Sequence, residues 1–208
     1  MDNNALFKIG YGLYVLTAGV SEEDTKLFNV KDNGCIINTV MQVTSDPCMI
    51  AVAVNKQNYT NGMISRTRKF NISTLAEGTK FDLFKHFGFQ SGKDINKFET
   101  FSDAKRSNNG VLYITQNTNS YISAYVQQEI DLGTHTMFLG QLVDSVCFND
   151  IPTVTYDFYQ KNIKPKPQPQ EKKGWRCKIC GYVYEGEELP SDFICPWCKH
   201  GVADFERI

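Results

Sequence analysis

The chain has no long apolar run, no excess of basic charge and no glycine-rich phosphate loop, and only three of its 208 residues are histidine. Each shortage excludes something. No run approaches the ~20 apolar residues that cross a bilayer as a helix. With 22 Lys and Arg against 23 Asp and Glu, no basic field is available to hold nucleic acid. The opening Met1-Asp2-Asn3-Asn4-Ala5 lacks the basic segment and apolar core of an export signal, so a cytoplasmic location is expected. Gly10-Tyr11-Gly12 is a fragment of a dinucleotide fingerprint, followed by strand-like rather than helical sequence, and no Walker-type loop exists. His86, His135 and His200 are too few for a Ser-His-Asp hydrolase to be comfortable, and the G-x-S-x-G elbow is missing. Any redox cofactor must therefore sit on another kind of fold.

What is present is concentrated near the C-terminus. Cys177, Cys180, Cys195 and Cys198 form a C-x2-C-x14-C-x2-C framework. A C-x2-C turn lets two sulfurs converge on one ion, and two such turns complete a tetrahedral sphere. Spacing alone leaves iron and zinc open. Two disulfides fit poorly with a chain expected to stay in a reducing compartment. Cys35, Cys48 and Cys147 are scattered and read as small core residues. With four thiolates supplied, His200 is expected at the surface rather than on the metal.

Composition divides the chain. Residues 1–159 read as mainly β, with strand-like runs at Leu13–Ala18, Cys48–Val54, Phe70–Leu75, Tyr121–Val126 and Thr136–Val143. Two helices are expected, around Thr60–Lys69 and Lys80–Phe87. Few long helices among so many strands indicate a barrel or sandwich. Residues 160–174 alternate proline and lysine, with Pro165, Pro167 and Pro169, and favour an extended polyproline tether. At ~3.1 Å per residue such a segment reaches roughly 45 Å. Residues 175–208 form the small domain. The tether holds five lysines and one glutamate, whereas the tail from Trp175 holds four basic and six acidic residues.

Trp175-Arg176-Cys177-Lys178-Ile179-Cys180-Gly181-Tyr182-Val183-Tyr184, then Leu189-Pro190-Ser191-Asp192-Phe193 and Cys195-Pro196-Trp197-Cys198, resembles a rubredoxin, with the short inter-pair gap of rubrerythrin tails. The resemblance implies one iron on four thiolates. It departs at Lys199-His200-Gly201, where glycine does not immediately follow the cysteine, so the second turn is expected to differ locally. A second resemblance covers roughly Leu6 to Tyr159. The stretch from Asn33 to Pro47, the segment Asn55-Lys56-Gln57-Asn58-Tyr59-Thr60, and Gly133-Thr134-His135-Thr136-Met137-Phe138-Leu139-Gly140 are similar, in that order, to flavin reductases, with Thr134 where the family has aspartate. That family implies an FMN-binding split β-barrel and a homodimer with the flavin near the subunit interface. On this resemblance Asn38, Thr39, Gln42, Thr44 and Ser45 contact the flavin, Asn55 opens the phosphate-contacting segment in which Lys56 and Thr60 hold the phosphate, and His135 lies near flavin and nicotinamide. A phosphate wants cationic and hydroxyl donors, and a flavin edge wants donors and acceptors on a rigid frame, so the residue types suit these places.

Together the two resemblances imply a route from NAD(P)H through FMN to a one-electron iron centre. A hydride carries two electrons and a single iron accepts one, and flavin mediates between the two. The arrangement resembles the high-molecular-weight rubredoxins of anaerobes, fusions that feed flavodiiron proteins reducing O2 or NO. Two other readings stand beside it: a reductase releasing free reduced flavin, and a zinc-ribbon binding module without redox turnover.

Overall fold

The computed structural model describes residues 2–19, 31–165 and 174–208, which divide into two compact units, Met1–Lys164 and Pro165–Ile208. In the first unit the strands are β1 (Tyr14–Ala18), β2 (Asn33–Ile37), β3 (Val40–Ser45), β4 (Cys48–Asn55), β5 (Lys69–Leu75), β6 (Ala104–Arg106), β7 (Leu112–Ile114), β8 (Thr118–Asp131) and β9 (His135–Cys147). Helix α1 spans Tyr59–Thr67 and α2 spans Phe81–Gly88, close to the two helices the sequence predicts. Seven strands form one antiparallel sheet in the order β2-β1-β5-β8-β9-β4-β3, and β6 pairs with β7 as a separate hairpin.

That order forces the sheet to roll up. β2 and β3 lie at opposite edges, yet only Asn38 and Thr39 separate them. Three chain steps span no more than ~11 Å, whereas six inter-strand spacings of a flat sheet would be about 29 Å. The edges therefore meet at this corner and the sheet is a partly open barrel, in agreement with the expected split barrel.

Strand alternation sorts the side chains. Leu16, Ala18, Cys35, Ile37, Ile50, Val52, Val54, Phe70, Ile72, Ala124, Val126 and Phe138 face one buried cluster, joined by Met63 and Ile64 of α1. The alternate residues Val15, Ile36 and Leu75 pack outward against Leu83, Phe84 and Phe87 of α2. Period-2 geometry requires this division when a strand is covered on both faces. Gly140 shows how tightly the interior fits: a Cβ there would lie 2.6 Å from Cζ of Phe70. The β6–β7 hairpin is fixed by buried Asn71, whose Nδ2 donates to Ser107 Oγ and Val111 O, both at 2.8 Å.

The short helix Tyr156–Phe158 continues as a π-helical turn, Tyr159–Ile163, and packs Tyr159 and Ile163 on the outer cluster. The expected tether from Gln160 overlaps this turn, so residues 160–163 are helical, and 166–173 lie outside the described residues. The second unit has a three-stranded sheet in the order β11-β10-β12, from β10 (Trp175–Cys177), β11 (Val183–Tyr184) and β12 (Phe205–Arg207). Among the described residues no helix is long and apolar enough to cross a membrane.

Candidate functional site

The second unit brings the four framework cysteines together. Their Sγ atoms all lie within 4.8 Å of one another, with Cys177 and Cys198 at 3.5 Å and Cys180 and Cys195 at 3.4 Å. A regular tetrahedron of ~2.3 Å metal–sulfur bonds has sulfurs ~3.8 Å apart, so the donor set already has the dimensions of one tetrathiolate site. Without a cation this crowding favours protonated sulfur. Burial pushes the Cys195 thiol up, and the neighbouring Cys180 sulfur, followed by burial, pushes Cys198 up. A metal removes that penalty by taking the place of the protons.

Each cysteine pair sits in the same turn. Cys177 N donates to Tyr182 O and Gly181 N to Cys177 O, both at 2.8 Å. In the second, Cys195 N donates to His200 O at 2.8 Å and Lys199 N to Cys195 O at 2.9 Å. Gly181 has φ +79° and Lys199 has φ +62°. The expected local difference after Cys198 is therefore absent: Lys199 takes the left-handed conformation that glycine occupies in the first turn, and the hydrogen bonding is unchanged. His200 is exposed, with Nδ1 3.0 Å from Cys198 O, outside the sulfur cluster. Phe193 and Phe205 pack edge to face at 5.4 Å beneath the site, whereas Trp197 stays 46 % exposed.

In the first unit the candidate residues fall into two groups. Asn55 pairs with His135 in the β4–β9 ladder. Beside them Lys56 N donates to Thr134 O at 3.0 Å, and Lys56 Nζ meets Asp131 Oδ1 at 2.6 Å. His135 Nδ1 lies 2.9 Å from Thr134 Oγ1. Asn38 and Thr39 reach the same end of the sheet, where Thr39 Oγ1 donates to Ala53 O at 2.7 Å. Helix α1 begins a few residues after Lys56, and its N-cap Asn58 makes no side-chain capping bond, which leaves first-turn N–H groups for another acceptor.

Gln42, Thr44 and Ser45 lie toward the other end of β3. Ser45 pairs with Cys48 at the hairpin, and the register shifts between Gln42 and Thr44. All three are exposed on this edge strand. Gln42 Nε2 donates to Thr44 O at 3.3 Å, and Thr44 Oγ1 donates to Pro47 O. Six residues of strand, ~20 Å, separate Thr39 from Ser45. An edge strand also offers unpaired backbone donors and acceptors. A long ligand lying along β3 would span both groups, and the polar set on the strand suits a flavin.

Thr60 does not join either group. It is fully buried, and its Oγ1 accepts from Asn33 Nδ2 at 2.8 Å. Its position on the inner face of α1 anchors the helix to β2 and takes its hydroxyl away from any phosphate at the surface. Two residues escaped the sequence reading. Asp131, in an Asp-x-Gly turn typical of Asx geometry, holds Lys56. Lys97, only 2 % exposed, donates to Gly34 O at 2.7 Å and Phe87 O at 2.9 Å, and burial lowers its ammonium pKa to about 8.

Residues 6–165 match the flavin reductase like domain family. The chain belongs to the flavin reductase-like family. Residues 175–206 match the rubrerythrin, rubredoxin-like domain, so a rubredoxin-like unit follows the barrel. A high molecular weight rubredoxin of Moorella thermoacetica is 34 % identical over 100 % of both chains. The ferric-chelate reductase (NAD(P)H) of Archaeoglobus fulgidus is 37 % identical over 80 % of this chain and 93 % of its own length. The solved NADH:FAD oxidoreductase of Streptomyces globisporus superposes with a TM-score of 0.62 at 18 % identity, covering 73 % of this chain and 84 % of that one, which shows a shared fold. The flavin reductase-like barrel and the four-cysteine unit are thus joined in one chain, and the Moorella relative aligns across both.

Proposed function

We propose that this flavin reductase-like protein oxidises NAD(P)H through FMN on the barrel and delivers single electrons through one iron held by Cys177, Cys180, Cys195 and Cys198. The observation that carries the reading is the sulfur cluster of tetrahedral dimensions in the same chain as the barrel. Bound FMN supplies the exchange between two-electron and one-electron chemistry, and a tetrathiolate iron supplies a one-electron couple.

The chain's own residues have distinct tasks. Lys56 and the first-turn N–H groups of α1 hold the phosphate, while Thr60 braces that helix from within. Asn38, Thr39 and the β3 residues Gln42, Thr44 and Ser45 orient the ring system, and Asn55 lies beside Lys56 at the phosphate end. Thr134 fixes the His135 ring through Nδ1, which leaves Nε2 for the nicotinamide or flavin edge. Backbone N–H groups at the two cysteine turns favour charge on the sulfurs. The apolar side chains left outside on β3 and β9, with Met41 61 % and Val143 46 % exposed, are the surface a second copy covers in a homodimer. The chain between the helical turn that ends at Ile163 and the second unit acts as the tether between the units. The acceptor is a separate redox protein, of the flavodiiron type that reduces O2 or NO, in the cytoplasm.

One observation favours a second reading. The Archaeoglobus relative, named for ferric-chelate reduction, aligns over 80 % of this chain. A barrel reducing diffusible acceptors directly would leave the iron unit as a side exit. Metal analysis and visible spectra of the purified protein, followed by anaerobic addition of NADH or NADPH, separate the readings. Our proposal expects one iron per chain, FMN retained through gel filtration, and bleaching of both flavin and iron bands. Zinc in the cluster, or an iron band that stays oxidised beside fully reduced flavin, contradicts it.

A further inference from the structure

We propose that Asp131 is a competing anion at the phosphate end of the flavin site, occupying Lys56 until a phosphate monoester displaces it. The inference deepens the reading above, which assigns the phosphate to Lys56. It rests on how the pair is built. The Lys56 ammonium lies 2.6 Å from Asp131 Oδ1, and the side chains are 41 % and 72 % exposed. The same Oδ1 accepts from Gly133 N at 2.7 Å, so the carboxylate is fixed in the β8–β9 turn. That turn is tied to the β4–α1 corner by the bond from Lys56 N to Thr134 O. Lys56 therefore meets the carboxylate from a fixed base rather than by a chance reach of a long side chain. Consistent with this, the Lys56 contact, followed by the Gly133 N–H, holds the Asp131 carboxyl below the ordinary carboxylate range.

An arriving phosphate carries about −1.5 to −2 charge at neutral pH. It must share the ammonium with Asp131 or displace it, and either outcome sets two anions against each other around one cation. Because the pair is solvent-exposed, the contest is one between weak partners, which a phosphate with additional helix N–H donors wins. Asp131 thereby loosens the hold on FMN without touching the isoalloxazine.

The test compares FMN with riboflavin, which lacks the phosphate, by flavin fluorescence quenching on the full-length protein. Asp131→Asn keeps the shape and the bond to Gly133 N while removing the charge. It should tighten FMN by about twofold to fivefold and leave riboflavin unchanged. Unchanged or weaker FMN binding in that variant overturns the proposal and makes Asp131 a support for Lys56 instead. Lys56→Ala separates this failure from a failure of the underlying reading. It should weaken FMN by about tenfold to a hundredfold with riboflavin unaffected. Equal weakening of both ligands removes the phosphate from Lys56 and the inference with it.

Discussion

Replacing Lys97 with methionine should change how the stability of the barrel depends on pH. Lys97 is almost fully buried, and among the described residues its ammonium is met by two backbone carbonyls and no carboxylate. Desolvation lowers its pKa from 10.5 to about 8, against a smaller opposing effect from Cys35. A lysine whose folded pKa is depressed loses its proton in the native state while the unfolded chain still holds one. Stability therefore rises with pH across the window between the folded and unfolded values. Between pH 7 and pH 9 the native lysine goes from mostly charged to mostly neutral, and one unit of proton linkage contributes ~1.4 kcal/mol. Below pH 7 both states are protonated and the contribution is flat. Above pH 9 the Cys35 thiol, pushed up chiefly by burial, acts with the opposite sign, so the comparison is made below it. The assay is guanidinium unfolding of wild type and Lys97→Met at several pH values, followed by far-UV circular dichroism. Tryptophan fluorescence would follow the wrong unit, since both tryptophans, Trp175 and Trp197, lie in the cysteine-bearing one. Wild type should gain ~1.4 kcal/mol on the variant from pH 7 to pH 9. A stability difference that stays constant across that interval would refute the reasoning.

Two further outcomes concern the metal unit. Cys195→Ser replaces a buried thiolate with a harder, poorly charge-matched ligand and should lose most of the metal, together with the thiolate-to-iron absorption, as read by metal analysis and visible spectra. At the two turns, Lys199→Gly relieves a left-handed non-glycine residue and should leave stability equal or higher by up to ~1 kcal/mol, whereas Gly181→Ala at φ +79° should cost ~1 kcal/mol or more by thermal unfolding of the metal-loaded protein.

The parts of the molecule legible in the sequence are those whose pattern is local. β1, β4 and β5 are covered by clusters of apolar or alternating residues and appear in the chain close to their observed bounds. β8 and β9 extend well past the runs expected for them. The C-terminal part of β8 from Gln127 is mostly polar, the end of β9 is exposed, and the first residues of β8, Thr118 and Asn119, are buried but polar, so these stretches carry no apolar periodicity. β3 reads as a polar flavin-contacting stretch rather than a strand, since an exposed edge has no buried face to mark it. The rolling of the sheet was legible only as a barrel-or-sandwich expectation and through the family resemblance, because its cause, β2 and β3 standing at opposite edges, is a pairing fact that no local pattern carries. The cysteine site was legible because four ligands in two short turns encode it locally. The packing of Lys97 and Thr60 was hidden from the sequence for one reason. Residue type suggests the surface, and only tertiary packing puts an ammonium on two carbonyls or a hydroxyl on Asn33. Lys199 shows the reverse error, where a missing glycine suggested a different turn and the backbone adopted the same one.

On the proposed function, electrons from a nicotinamide reach the four-cysteine iron through flavin within one chain. The decisive experiment is stopped-flow reduction by NADH or NADPH, recording flavin and iron bands together on the intact protein and on a chain divided near Gln168. In the intact protein the flavin band should bleach first and the iron band after it, at a rate independent of protein concentration. In the divided protein flavin reduction should be unchanged, while iron reduction becomes second order and matches the intact rate only near ~1 mM tail unit. Iron that stays oxidised while flavin turns over in the intact chain would contradict the account, and iron reduced as fast in the divided protein at micromolar concentration would contradict the tether.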